Sequence, residues 1–183
     1  MSKLLQYTRT AKALHWLIAV LIIGMLCLGL YMDSLPFAAL RFQLIQLHKS
    51  IGITILLLVA FRLLWRFTNP APMLPAHMPL WQKTAAHATH TLLYVLMFGM
   101  PLSGYIMSDA MGYHPNWFGI SVPILTSPNP KLADSLAAFH EYGSYALWAL
   151  LAAHVGAALF HHVIVKDETL RRMLPETLAR RLP

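Results

Sequence analysis

Residues 140–165 read HEYGSYALWALLAAHVGAALFHHVIV, an apolar run with histidine at positions 140, 154, 161 and 162. A stretch of about 20 apolar residues spans a bilayer as a helix, because lipid offers backbone amides no partner outside the segment. His140 and His154 are 14 positions apart, about 1400° of rotation, roughly 40° short of four turns. Both side chains therefore share a face and stand about 21 Å apart along the axis. Two metal centres stacked across a membrane need that geometry.

Three further stretches resemble this one, so that spans are expected at about 13–32, 44–65, 85–107 and 143–165. The whole chain of 183 residues is 57% hydrophobic and 11% charged, where a soluble domain carries about 25% charged residues. The expected fold class is all-α, an integral membrane four-helix bundle in a single membrane domain. A run of about 20 apolar residues exceeds a signal-peptide core, and no small-x-small site follows Met32, so the first span is expected to be retained. Cys27 lies mid-span and reads as a small buried hydrophobe.

Charge gives the orientation. Of 14 basic residues, 11 fall on the side that holds both termini and the central loop: Lys3, Arg9, Lys12, Arg62, Arg66, Lys83, Lys166, Arg171, Arg172, Arg180 and Arg181. Only Arg41, Lys49 and Lys131 fall opposite, so both termini are expected in the cytoplasm. The net charge of +7 is then a consequence of topology, with attraction to anionic membrane lipid. No basic domain remains outside the spans to bind nucleic acid. The central connection NPAPMLPAHMP (69–79) holds Pro70, Pro72, Pro75 and Pro79 and is expected to be extended. Residues 108–136, rich in glycine and proline, are expected to form the longest loop, and 168–173 a short interfacial helix. Pro101 predicts a kink in the third span. Trp16 and Trp65 read as interface anchors.

With this topology, His48 and His140 share the outer depth, and His15 and His154 the inner. Two axial imidazoles from facing helices can hold a haem iron, which then passes single electrons and has no vacant position for O2. A lone membrane histidine is more often an interhelical hydrogen-bonding partner, but four matched in depth fit ligation better. His161 shares the face of His154 and is a rival inner ligand. His154 is preferred, because its depth gives the macrocycle a dry pocket, and His161 and His162 are then left to the interface or to haem propionates. His87 and His90, one turn apart, read either as an interfacial polar pair or as partners for a haem or quinone edge. His77 and His114 lie in loops and are given no role.

The segments ALHWLIAVLI (13–22), LHKSIGI (47–53), FRLLWRFTNPAP (61–72), AHATHTLLYVLM (86–97), SLAAFHEYG (135–143) and AAHVGAALFHHVIVKDETLRRM (152–173) resemble the bacterial dihaem cytochrome b561 family, relatives of nickel-hydrogenase cytochrome b subunits. The last is the most specific, an apolar helix ending in HH and followed by KDxTLxRM. The resemblance implies a bundle enclosing two b-type haems held by His15, His48, His140 and His154. Arg62 and Arg66 inside, and Lys49 outside, are then candidates for propionate contacts, with snorkelling to headgroups as the alternative for the arginines and a plain surface lysine for Lys49.

The resemblance implies a bacterial inner-membrane cytochrome b that moves single electrons between an outer-face donor, superoxide being one candidate, and the quinone pool. Within the family the alternative is a subunit taking electrons from a partner dehydrogenase or hydrogenase. From another class, membrane histidines also suit a metal or proton transporter, although no inverted repeat is visible.

Overall fold

Thr8, Asn69, Pro79 and Asn129 punctuate the chain, and the four long helices of the computed structural model lie between such signals. The structure describes residues 6–75 and 78–179. Lys3, His77, Arg180 and Arg181, which figured in the charge and histidine readings, lie outside the described residues.

Helix α1 is Arg9–Ser34, begun by the Thr8 hydroxyl, which accepts from the Ala11 amide at 3.2 Å. Helix α2 is Ala39–Thr68, and Pro70 stops it one residue past the cap. Helix α3, Leu80–Ala110, follows Pro79 and runs through Pro101 without a break. Helix α4 is Pro130–Phe160. All four are long and apolar enough to cross a membrane. The all-α, four-helix class expected from the sequence is the one found.

The helices overrun the apolar stretches, which mark only what lipid can cover. The largest difference is at α4. Residues 130–136 were expected in the loop, yet Pro130 is the first helical residue, where its fixed φ suits the helix and its missing N–H costs nothing. The Asn129 side chain accepts from the Leu132 amide at 3.1 Å and completes the cap. The shortened loop contains a two-residue hairpin, β1 (Asn116–Trp117) against β2 (Ile120–Ser121), turning through Phe118 and Gly119 at φ 49° and 89°.

Past α4 the chain widens into one π-helical turn, His161–Val165, and Lys166 closes it in the left-handed conformation at φ 58°. In place of the helix expected over 168–173, a 3₁₀ turn spans Arg171–Met173 and a short helix α5 spans Glu176–Ala179.

Packing runs α1 on α2, α2 on α3 and α3 on α4. Its centre holds Leu14, Ile18, Ile22 and Leu26 of α1, four residues apart on one stripe, with Ile55 and Val59, Leu93 and Met100, and Leu147 from the others. Val20, Leu64, Val95 and Ile164 point outward instead, as lipid-facing side chains do, since tails are as apolar as they are. The indole of Trp16 donates to the Met173 carbonyl at 3.0 Å, and that of Trp65 to the Thr8 hydroxyl at 3.1 Å. The tail thus returns beside the start of α1.

Candidate functional site: paired histidines across the bundle

Four helices deliver histidines to two levels. At the level farther from the termini, the rings of His48 on α2 and His140 on α4 have centroids 6.3 Å apart. At the level nearer the termini, His15 on α1 and His154 on α4 are 6.0 Å apart. All four side chains are half-buried. His161, the rival of His154, has its ring contact with Phe160 instead. Its Nδ1 lies 2.6 Å from Oδ2 of Asp167, and the ring is buried.

Around His140, Ser103 lies with Oγ 3.1 Å from Nδ1, and its hydroxyl donates to the Met100 carbonyl at 2.9 Å. Gly104 lets the ring approach α3, because a Cβ there would stand 3.1 Å from the imidazole Cε1. His48 is held differently, since its buried Nδ1 has no hydrogen-bond partner among the described residues. Next to it, Lys49 reaches the Tyr113 carbonyl at 3.3 Å. The hairpin docks on the same stretch of α2: Phe118 N–H donates to the Ser50 hydroxyl at 3.1 Å, and the Trp117 indole to Thr54 at 3.0 Å. This loop closes over the His48–His140 level.

Its anchor is Asp109, which the sequence reading passed over. The carboxylate is fully buried and accepts from the Leu125 amide at 2.7 Å and from His114 Nδ1 at 2.9 Å. Such a buried polar group is tolerated because its oxygens are bonded. The signal was present as the one acidic residue at the end of the third apolar stretch.

At the other level, Arg62 donates to the Tyr94 hydroxyl at 3.1 Å and the Ala11 carbonyl at 3.2 Å, and its third nitrogen lies 3.5 Å from His15 Nδ1. Arg66 lies over the Tyr94 ring, 6.0 Å from its centroid. His90 of α3 comes closer to His154 than the sequence implied, at 5.4 Å between centroids. A cavity of about 570 Å³ opens beside it, walled by Leu63, Arg66, Phe67, Met73, Lys83, His87 and His90 among others.

The sequence model of the family described as prokaryotic cytochrome b561 matches residues 6–176. The chain belongs to the prokaryotic cytochrome b561 family. It is 38% identical over 172 residues to cytochrome b561 homolog 2 of Escherichia coli K12, covering 92% of this chain and 91% of that one. It is 30% identical to cytochrome b561 homolog 1 of the same organism, covering 93% and 97%. Identity is also 30% to a Yersinia pestis protein named probable superoxide oxidase CybB, again covering 93% and 97%. Membership makes the protein a bacterial, multi-pass membrane cytochrome of electron transport, associated with lipid and binding b-type haem.

The residues present fit that group. Imidazoles sharing one metal at bonds of roughly 2 Å have ring centres about 6 Å apart, and both cross-bundle pairs have that separation. The unbonded His48 nitrogen shows that no protein contact competes for that side of its ring, and Gly104 leaves His140 the room it occupies.

Proposed function

We infer that this protein is an inner-membrane dihaem cytochrome b carrying single electrons from an outer-face donor to the membrane quinone pool, with both termini cytoplasmic. The observation that carries the reading is the two-level crossing, in which α4 supplies one histidine to each pair and α1 and α2 supply the others. In this reading His48 and His140 hold the outer haem and His15 and His154 the inner one. Each haem, when bound, would supply reversible one-electron chemistry.

The protein's own groups do the rest. His15 is preferred over His90 as partner of His154 because its ring separation, 6.0 Å rather than 5.4 Å, is nearer to what two ligands of one metal need. The α1–α4 side is bridged by the imidazoles. Arg62 faces the His15 nitrogen that carries the proton when a ring ligates through Nε2. Ligation therefore requires the guanidinium to turn to another acceptor, and a propionate carboxylate is the one proposed, with Arg66 beside it. Lys49 has the same role outside. The cavity by His87 and His90 offers donors for a quinone carbonyl and apolar walls for its ring.

Superoxide is the donor favoured by the similarity to a protein named as a probable superoxide oxidase. The balance is two superoxide anions oxidised to two O2, with one quinone taking two electrons and two protons to quinol. The test is spectroscopic and then kinetic. The purified protein should give a reduced-minus-oxidised b-haem spectrum at two haems per chain. Superoxide should then reduce added ubiquinone in a 2:1 ratio. A chain with one haem refutes the dihaem reading. Reduction of the haems only by a partner dehydrogenase, and not by superoxide, moves the protein to the subunit reading.

A further inference from the structure

Ser103 Oγ carries a single hydrogen, and at 2.9 Å that hydrogen goes to the Met100 carbonyl. Toward His140 Nδ1, 3.1 Å away, the oxygen is left only its lone pairs. A carbonyl can only accept, so both contacts are satisfied together when Nδ1 carries the proton, and Nε2 then keeps its lone pair for a metal. Ser103 is itself buried, at 4% exposure. Gly104 beside it permits the close approach, since a Cβ would meet the ring at 3.1 Å.

The other level differs. There the group that faces His15 Nδ1, 3.5 Å away, is the Arg62 guanidinium, which offers that nitrogen no acceptor and turns to a propionate on ligation. A hydrogen-bond acceptor on Nδ1–H raises the electron donation of an imidazole and favours the ferric state of the iron that it binds. An imidazole without such an acceptor donates less, and its iron is more easily reduced.

We propose that Ser103 is a positioning residue that fixes the tautomer of His140 and holds the redox centre at that level at the lower of the two potentials. Electrons then run downhill from the His48–His140 level to the His15–His154 level, because one level has an acceptor on its imidazole and the other has none. The inference rests on the ligation proposed above, and its failure can be told apart from failure of that ligation.

The experiment is a redox titration of the purified holoprotein, followed by its visible bands and its low-spin ferric resonance signals. The wild type should show two one-electron steps, and His140→Ala should remove the lower. Ser103→Ala should raise the lower step by up to about tenfold in its ferric–ferrous equilibrium, about 59 mV for one electron, leaving the upper step in place. Ser103→Thr, which keeps the hydroxyl, should return the wild-type value. If Ser103→Ala loses that haem, restoration of both content and potential in Ser103→Thr supports the role, and loss in both variants overturns it. An unmoved step in Ser103→Ala, or removal of the upper step by His140→Ala, also overturns it. Retention of both haems in His140→Ala would instead refute the ligation.

Discussion

Nδ1 of His161 and Oδ2 of Asp167 lie 2.6 Å apart, both side chains buried, across the turn where α4 ends. The other carboxylate oxygen accepts from the Thr169 amide at 2.8 Å, and the Asp167 amide returns to the His161 carbonyl at 3.1 Å. Burial pushes the Asp167 carboxyl up, but the hydrogen bonds from Thr169 and His161 outweigh it and hold the group below its ordinary value.

A pH dependence follows from that depression. The contribution of Asp167 is fully present above the unfolded carboxylate pKa of about 3.9 and is lost as pH falls through the lower folded value. Asp167→Asn should lower the apparent melting temperature in detergent at pH 7 by roughly 2–4 °C, the change that about 1 kcal/mol gives in a chain of this size. Melting curves of both proteins should converge as the pH is taken below about 4. A gap that stayed constant down to pH 3 would remove the ionised carboxylate from the account.

The same pair separates two neighbouring histidines. His154→Ala should abolish the inner haem, whereas His161→Ala should leave haem content unchanged, because the ring of His161 is committed to Asp167. His90→Ala should also retain both haems. Pyridine haemochrome assay of the three variants decides it, and an inner haem kept in His154→Ala but lost in either of the others would overturn the assignment.

At the opposite level, His48→Ala and His140→Ala should each take the protein from about two haems to one, since each iron loses one of its two protein ligands. Two haems retained in either variant would break the proposed outer pair.

Topology can be checked without spectroscopy. A reporter active only in the periplasm, fused after residue 183, should be silent, and the same reporter inserted near Pro128 should be active. The reverse pattern would exchange the outer and inner levels.

Packing offers a further check at Gly143. A Cβ there would stand 2.5 Å from the Met100 sulfur in the tight α3–α4 contact, whereas nothing lies within 4 Å of one at Gly24. Gly143→Ala should destabilise the bundle by about 1–3 kcal/mol, as overpacking does. Gly24→Ala should be neutral or stabilising by up to about 1 kcal/mol. Denaturation in detergent measures both, and equal effects would contradict the close contact at Gly143.

Apolar length and the spacing of His140 and His154 were enough to read the four helices, because lipid forces helical hydrogen bonding and a helix makes phase predictable. The ends of the helices were less legible. Pro130 falls in the stretch whose prolines predict a loop, although the residue before it, Asn129, is what turns a proline into a helix start. Ser103 and Asp109 escaped notice for another reason. Their roles depend on partners 37 and 16 positions away, His140 and Leu125, and no local pattern encodes such contacts. His90 was left open between two readings because helical phase places it on α3 but says nothing of its distance to His154.

His140 and His154 are carried by one uninterrupted helix, and the π-turn that widens the backbone begins only at His161. The interval between the two levels is therefore set by a rigid rod of hydrogen-bonded backbone and is insulated from sliding or tilting between neighbours. In the dihaem reading proposed here, breathing of α1 or α2 alters how a single imidazole sits while the spacing of the two α4 ligands stays fixed.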